Sequence, residues 1–271
     1  MNGITKIFTN TKGMLPVSVL LLMLGKIAVG NAQDLNARDI APSDFTGIWV
    51  SVITEDWRHR MMTPPIGDTA SLPINAEGQR VAEAWNPQAD MEAGMACRAY
   101  GAAGIMRMPT RLRVSWQDEN TMSIETDAGE QTRLLHFPGD STPMSEASWQ
   151  GYSRAHWEGK SEGQGEAAAL PGEGELSGSL AVTTSNLRPG YLRRNGVPYS
   201  ANTVVEEHFD VFDGPNGDRW LVVLTKVVDP VYLEEPMWTS THFKQESSDA
   251  NWSPSPCRIT LPTRSSAVSV D

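Results

Sequence analysis

The stretch from Thr203 to Phe212 has the residue types and spacing that come closest to chemistry. As a strand it would point successive side chains to opposite faces. One face carries Thr203, Val205, Glu207, Phe209 and Val211, and the other Val204, Glu206, His208, Asp210 and Phe212. The first face is the more apolar and is expected to turn inward, which sets Glu207 among Val205, Phe209 and Val211. A carboxylate there loses its hydration and must find a cation or hold its proton. The cations expected to meet it are Arg188, Arg193 and Arg194, on the preceding connection. Two roles fit. One is a buried Glu–Arg pair that fixes this connection to the wall. The other is a general acid/base or ligand-orienting carboxylate, with Arg193 and Tyr191 as its catalytic companions.

A second group of candidates would bind rather than react. Trp57 and Arg58 follow the first strand, and Arg188, Arg194 and Tyr199 flank the later connection. Aromatic and cationic groups of this kind can form the rim of a largely apolar ligand cavity. The chain has nine tryptophans; Trp49, Trp116, Trp149, Trp157, Trp220 and Trp238 fall on expected strands and suit the core or the barrel ends. Leu135 and Phe137 flank His136 on the buried phase, so His136 should face out, as should His208. No metal site and no cofactor are therefore expected. The sequence has no Gly-x-Ser-x-Gly elbow, phosphate-binding loop, dinucleotide fingerprint or His-Glu-x-x-His, which disfavours the common hydrolase, nucleotide and redox classes.

The elements that must position these residues are mostly strands. Gly47–Thr54 is rich in β-branched and aromatic residues, and Arg111–Trp116 alternates strictly. Turn residues separate it from Met122–Thr126 and then Gln131–Phe137. Trp149–Trp157, Leu180–Ser185, Thr203–Phe212, Arg219–Val228 and Trp238–Lys244 complete a set of nine, with Asp213–Asp218 as a hairpin turn. The fold expected is mainly β: a closed or nearly closed antiparallel barrel, or a β-sandwich, with one short helix and long loops. The helix spans about Ala76 to Trp85, capped by Asn75 and stopped by Pro87. Residues 33–45 form a lead-in, 46–261 a single domain with a mobile loop at 158–178, and 262–271 a disordered tail.

Residues 1–32 read as a secretory signal peptide, with Lys6 and Lys12, an apolar run around Leu20–Leu22, and a small-residue cleavage pattern ending at Ala32. Its three lysines are its only charges, so cleavage moves the net charge from -11 to -14. So acidic a chain repels phosphate backbones and anionic membranes, and no nucleic-acid partner or stable membrane insertion is expected after cleavage. In an oxidising compartment Cys97 and Cys257 are the number for one disulfide; the alternative is two unpaired buried thiols.

Gly47-Ile48-Trp49 at the first strand resembles the Gly-x-Trp of lipocalins and their calycin relatives. Four longer runs, 54–58, 97–109, 187–200 and 229–233, together resemble a set of exported proteobacterial proteins of unassigned function. The resemblance implies one exported, lipocalin-like β-barrel and carries no activity. The function expected is periplasmic or secreted binding of a small, largely apolar molecule in an internal cavity. The alternatives are a cofactor-free isomerase, dehydratase, cyclase or hydrolase built on Glu207, and a structural envelope protein. The sequence leaves the oligomeric state open.

Overall fold

Alternating inward and outward residues fold the chain into a closed barrel of nine strands. The structure is a computed structural model and describes residues 36–140, 146–158 and 178–262. The strands are β1 (Gly47–Val52), β2 (Arg111–Trp116), β3 (Thr121–Thr126), β4 (Gln131–His136) and β5 (Tyr152–Glu158). Then come β6 (Ser179–Ser185), β7 (Val204–Asp213), β8 (Arg219–Val228) and β9 (Met237–Glu246). Neighbours around the barrel are neighbours in sequence, and β9 closes onto β1 with Ile48 opposite Glu246 and Val52 opposite His242. The sandwich alternative fails because the sheet closes on itself.

Eight of the nine pairings are antiparallel; β4 and β5 run parallel, with Leu135 opposite Ser153. Closure with an odd strand number requires this. Directions cannot alternate all the way round a ring of nine, so one neighbouring pair must agree. Parallel neighbours need a crossover. Phe137 stays at one end, where its N–H bonds to the Asn120 carbonyl, and the chain then returns to the other, where Ala102 donates to the Trp149 carbonyl at 2.9 Å.

The inward positions fill the interior with side chains. Trp49, Leu112, Met122, Leu135, Leu180, Phe209, Leu221 and Phe243 are all fully buried. Trp49 meets the core expectation, whereas Trp238 takes the outward phase, exposed over Lys226. The lower end, where β1 begins, is closed by aromatics: Phe45 stacks on Trp157 at 5.5 Å, and Phe137 lies 4.9 Å from the same indole. The lead-in takes part, since Trp157 Nε1 donates to the Ala37 carbonyl at 2.7 Å.

The connections 53–110, 186–203 and 229–236 leave from the upper end and together form a cap. The first contains three short helices, α1 (Trp57–Met61), α2 (Ala76–Glu83) and α3 (Pro87–Glu92). The expected helix is α2, and the Asn75 side chain accepts from Gly78 N at 2.8 Å as its cap. Pro87 opens α3 as well as following α2; at a first helical position its missing N–H is no loss, and Asn86 caps the turn. The cap has its own apolar core, which includes Ala82, Leu187, Leu192, Val197, Tyr199 and Leu233. Buried Asp229 ties two connections together by accepting from both Ser200 N and Oγ, from Thr203 Oγ1, and from the backbone of Val231 and Tyr232.

Cys97, in the cap, is joined to Cys257 by a disulfide of 2.02 Å. Beside it Ser255–Pro256 runs parallel to Ala128–Gly129 at the β3–β4 turn. No helix among the described residues is long and apolar enough to cross a membrane. The leader at 1–32, nearly all of the 158–178 loop, and the tail beyond Pro262 lie outside the described residues.

Candidate functional site

Strand parity places Glu207 inward, and its side chain is 0% exposed. The carboxylate pairs with Arg133 from β4. The same guanidinium donates to Ser153 Oγ at 2.9 Å and Thr184 Oγ1 at 2.6 Å, and those two hydroxyls are 2.7 Å apart. Four consecutive strands, β4 to β7, each supply one member of this network. The register explains it: Ile124 opposite Arg133, Leu135 opposite Ser153, and Val205 opposite Thr184 put these positions on the inner face. Glu207 Oε1 and Arg133 Nη1 have no hydrogen-bond partner, nor has Thr225 Oγ1 on β8, directly opposite Glu207. The cation expected from Arg188, Arg193 or Arg194 therefore comes from the barrel wall. The sequence carried the signal: Arg133 shares its phase with Leu135 and Phe137, both buried.

The other predicted residues belong to the cap. Arg193 Nη2 lies 3.4 Å from Asp56 Oδ2. Tyr191 donates to Asp90 Oδ2 at 2.7 Å, while Arg98 donates to Asp90 Oδ1 at 2.7 Å and to the Tyr191 oxygen at 3.0 Å. Burial, reinforced by the bond to Asp90, pushes the Tyr191 phenol up to about 12, so at neutral pH it is a proton donor. Glu207, Arg193 and Tyr191 thus have three separate partners: Arg133, Asp56 and Asp90. Tyr199 is a cap-core residue, and burial raises its phenol pKa. Its hydroxyl sits where side chains on Gly101 or Gly190 would collide with it, at 2.1 and 2.6 Å from an added Cβ. Arg188 stacks over Trp149 at 4.3 Å, and Arg194 donates to the Arg60 carbonyl at 2.7 Å. Arg58 points to solvent on α1.

Trp57 has a different setting. It is 59% exposed and Met61, one helical turn on, is 52% exposed. Both line a broad cleft of about 600 Å³ between α1 and the upper ends of β1 and β2. Val50, Ile53 and Pro109 supply apolar wall, and Thr110, Arg111 and Asp127 a polar side. Asp127 is held in place, accepting from Thr110 Oγ1 at 2.9 Å and Arg111 N at 2.7 Å. A second cleft of about 600 Å³ lies on the outer wall against His136, Tyr152, Arg154 and His156. Glu207 lines neither cleft. Among the described residues, no group of three His, Cys, Asp or Glu is placed to hold a metal ion.

Compared with protein-family models, with curated proteins and with solved structures, the chain matches none.

Proposed function

We propose that this chain is an exported, lipocalin-like ligand-binding barrel, and that its ligand, a small and largely apolar molecule, sits in the mouth cleft on Trp57 and Met61. The observation that carries the reading is the exposure of these two side chains on a cleft of about 600 Å³. Ligand pockets typically occupy about 300–1,000 Å³, with mostly apolar walls and a few fixed polar groups. An exposed tryptophan beside an exposed methionine is a poor surface for water and a good one for a flat apolar ligand. Thr110 and Asp127 would orient a polar substituent on it. The leader pattern and the disulfide support export.

The test is untargeted mass spectrometry of small molecules that co-purify with the exported protein. An apolar compound should accompany the wild type and fall at least about tenfold in Trp57→Ala, a loss of about 1.4 kcal/mol or more. Equal recovery from both proteins, or none from either, would sink the reading. The catalytic alternative on Glu207 is the weaker one, because this carboxylate is fully buried and lines neither cleft.

A further inference from the structure

Four arginines converge in the cap of this acidic chain. Arg60 comes from α1, Arg107 from the turn Ile105–Arg107, and Arg193 and Arg194 from the connection after β6. With His59 and Gly104 they line a small cavity of about 20 Å³. It lies on the flank of α1 away from Trp57 and Met61, so it is separate from the mouth cleft.

The nearby carboxylates do not saturate these cations. Glu55 pairs with Arg60. Asp56 takes Arg107, accepts from Arg193 at 3.4 Å, and bonds His59 Nδ1 at 2.8 Å. Asp68 lies 3.7 Å from His59 and acts on Arg193 only through space, with no ion pair to it. Arg194 has no carboxylate within 4.0 Å among the described residues, and its bond to the Arg60 carbonyl brings no negative charge.

Three guanidinium nitrogens remain unpaired: Arg60 Nη2, and Nε and Nη1 of Arg193. Both residues are more than nine-tenths buried, at 3% and 5% exposure, and both line the cavity. Burial lowers the pKa of Arg60, Arg193 and Arg194, yet a guanidinium stays charged at any physiological pH. Unmatched buried donors that carry charge call for an acceptor that also carries charge. A cavity of about 20 Å³ holds one sphere the size of a water molecule. A phosphate group or a nucleotide does not fit.

We propose that the cavity walled by Arg60, Arg107, Arg193 and Arg194 is a binding site for one small monatomic anion, chloride, held by N–H donation from Arg60 and Arg193. The anion brings the charge of the cluster closer to balance and fixes α1 against the connection after β6. It thereby couples the small-anion content of the compartment to the rigidity of the cap.

The experiment is thermal unfolding at constant ionic strength, with sodium methanesulfonate, whose anion is larger than the cavity, replaced stepwise by chloride, and in a parallel series by acetate, which is also too large. A saturable rise in Tm of about 5 °C or more with chloride and none with acetate is expected, the size for a ligand at about a hundred times its Kd on a domain of this length. The rise should vanish in Arg193→Met and persist in Arg80→Met, whose exposed arginine pairs with Glu77 on α2. A crystal of the wild type soaked in bromide gives an answer that does not depend on a variant folding. An anomalous peak within about 3.5 Å of both Arg60 and Arg193 supports the site. No such peak, with the same unsaturated response to all three salts, overturns it.

Discussion

Two regions of this molecule bury charge, and they do so differently. In the barrel, Glu207 meets Arg133 one to one, with hydroxyls from two intervening strands holding the guanidinium. In the cap, three arginines share Asp56 and Glu55, a fourth, Arg194, reaches neither, and three guanidinium nitrogens find no acceptor. The barrel network is set by strand register, so each partner is one strand from the next. The cap cluster is assembled by loops, and its Asp56–Arg193 contact spans 137 residues. A pair balanced in charge one to one on a packed wall, even with Glu207 Oε1 and Arg133 Nη1 unbonded, is what structure requires. A surplus of buried cations around a small cavity is what a ligand requires.

The contrast can be broken first at the joint between the regions. The Cys97–Cys257 disulfide closes a separation of 160 residues and is expected to stabilise the fold by about 4–5 kcal/mol in the chain-entropy picture. Reduction should therefore lower Tm strongly. Hydrogen exchange followed by mass spectrometry should show the loss concentrated in cap residues 96–108, with β7 and β8 keeping their protection. Equal loss in both would mean that cap and barrel are one cooperative unit.

The second test addresses the barrel pair. Glu207→Ala leaves Arg133 charged, buried and unmatched, and should cost about 3–5 kcal/mol in urea unfolding. Glu207→Leu combined with Arg133→Met removes both charges and should recover most of that loss. A double variant as unstable as the single one would show that Ser153 and Thr184 need the guanidinium for more than pairing.

The barrel was legible in the sequence because a strand has a period of two. The nine strands follow from alternation, β-branched and aromatic runs and the turns between them, the inward turn of Glu207 follows from alternation alone, and the same parity puts Arg133 inside. Parity says which side a residue faces and not which residue it meets. Arg133 and Glu207 are 74 residues apart, and only closure in this register joins them. The parallel β4–β5 pair follows from counting strands to an odd number, which local pattern does not report. The cap had no period to read. Trp57, Arg193 and Arg194 stood out by residue type, but Asp56 and Arg107 did not, because their meeting depends on how two loops fold together.

Asp56 is also where the cap can be tested most finely, with the smallest of the three effects. Its backbone is left-handed, φ 51°, a conformation that Asn also tolerates, so Asp56→Asn removes the charge without adding backbone strain. Burial raises the pKa of its carboxyl. The bond from His59 and the charges of Arg107 and Arg193 more than offset this, and the net position is below the ordinary 3.8. A carboxyl with a depressed folded pKa contributes stability that is complete above its unfolded value and is lost as pH falls through the folded one. Wild type should therefore exceed Asp56→Asn by about 2 kcal/mol at pH 6, the scale of a charge-assisted hydrogen bond, with the gap closing as pH drops below about 4. A gap that stayed constant down to pH 2.5 would assign the effect to the shape of the side chain. A missing gap at pH 6 would mean that Arg107 and Arg193 draw nothing from Asp56, and the cap would then have even more unmatched positive charge than its geometry suggests.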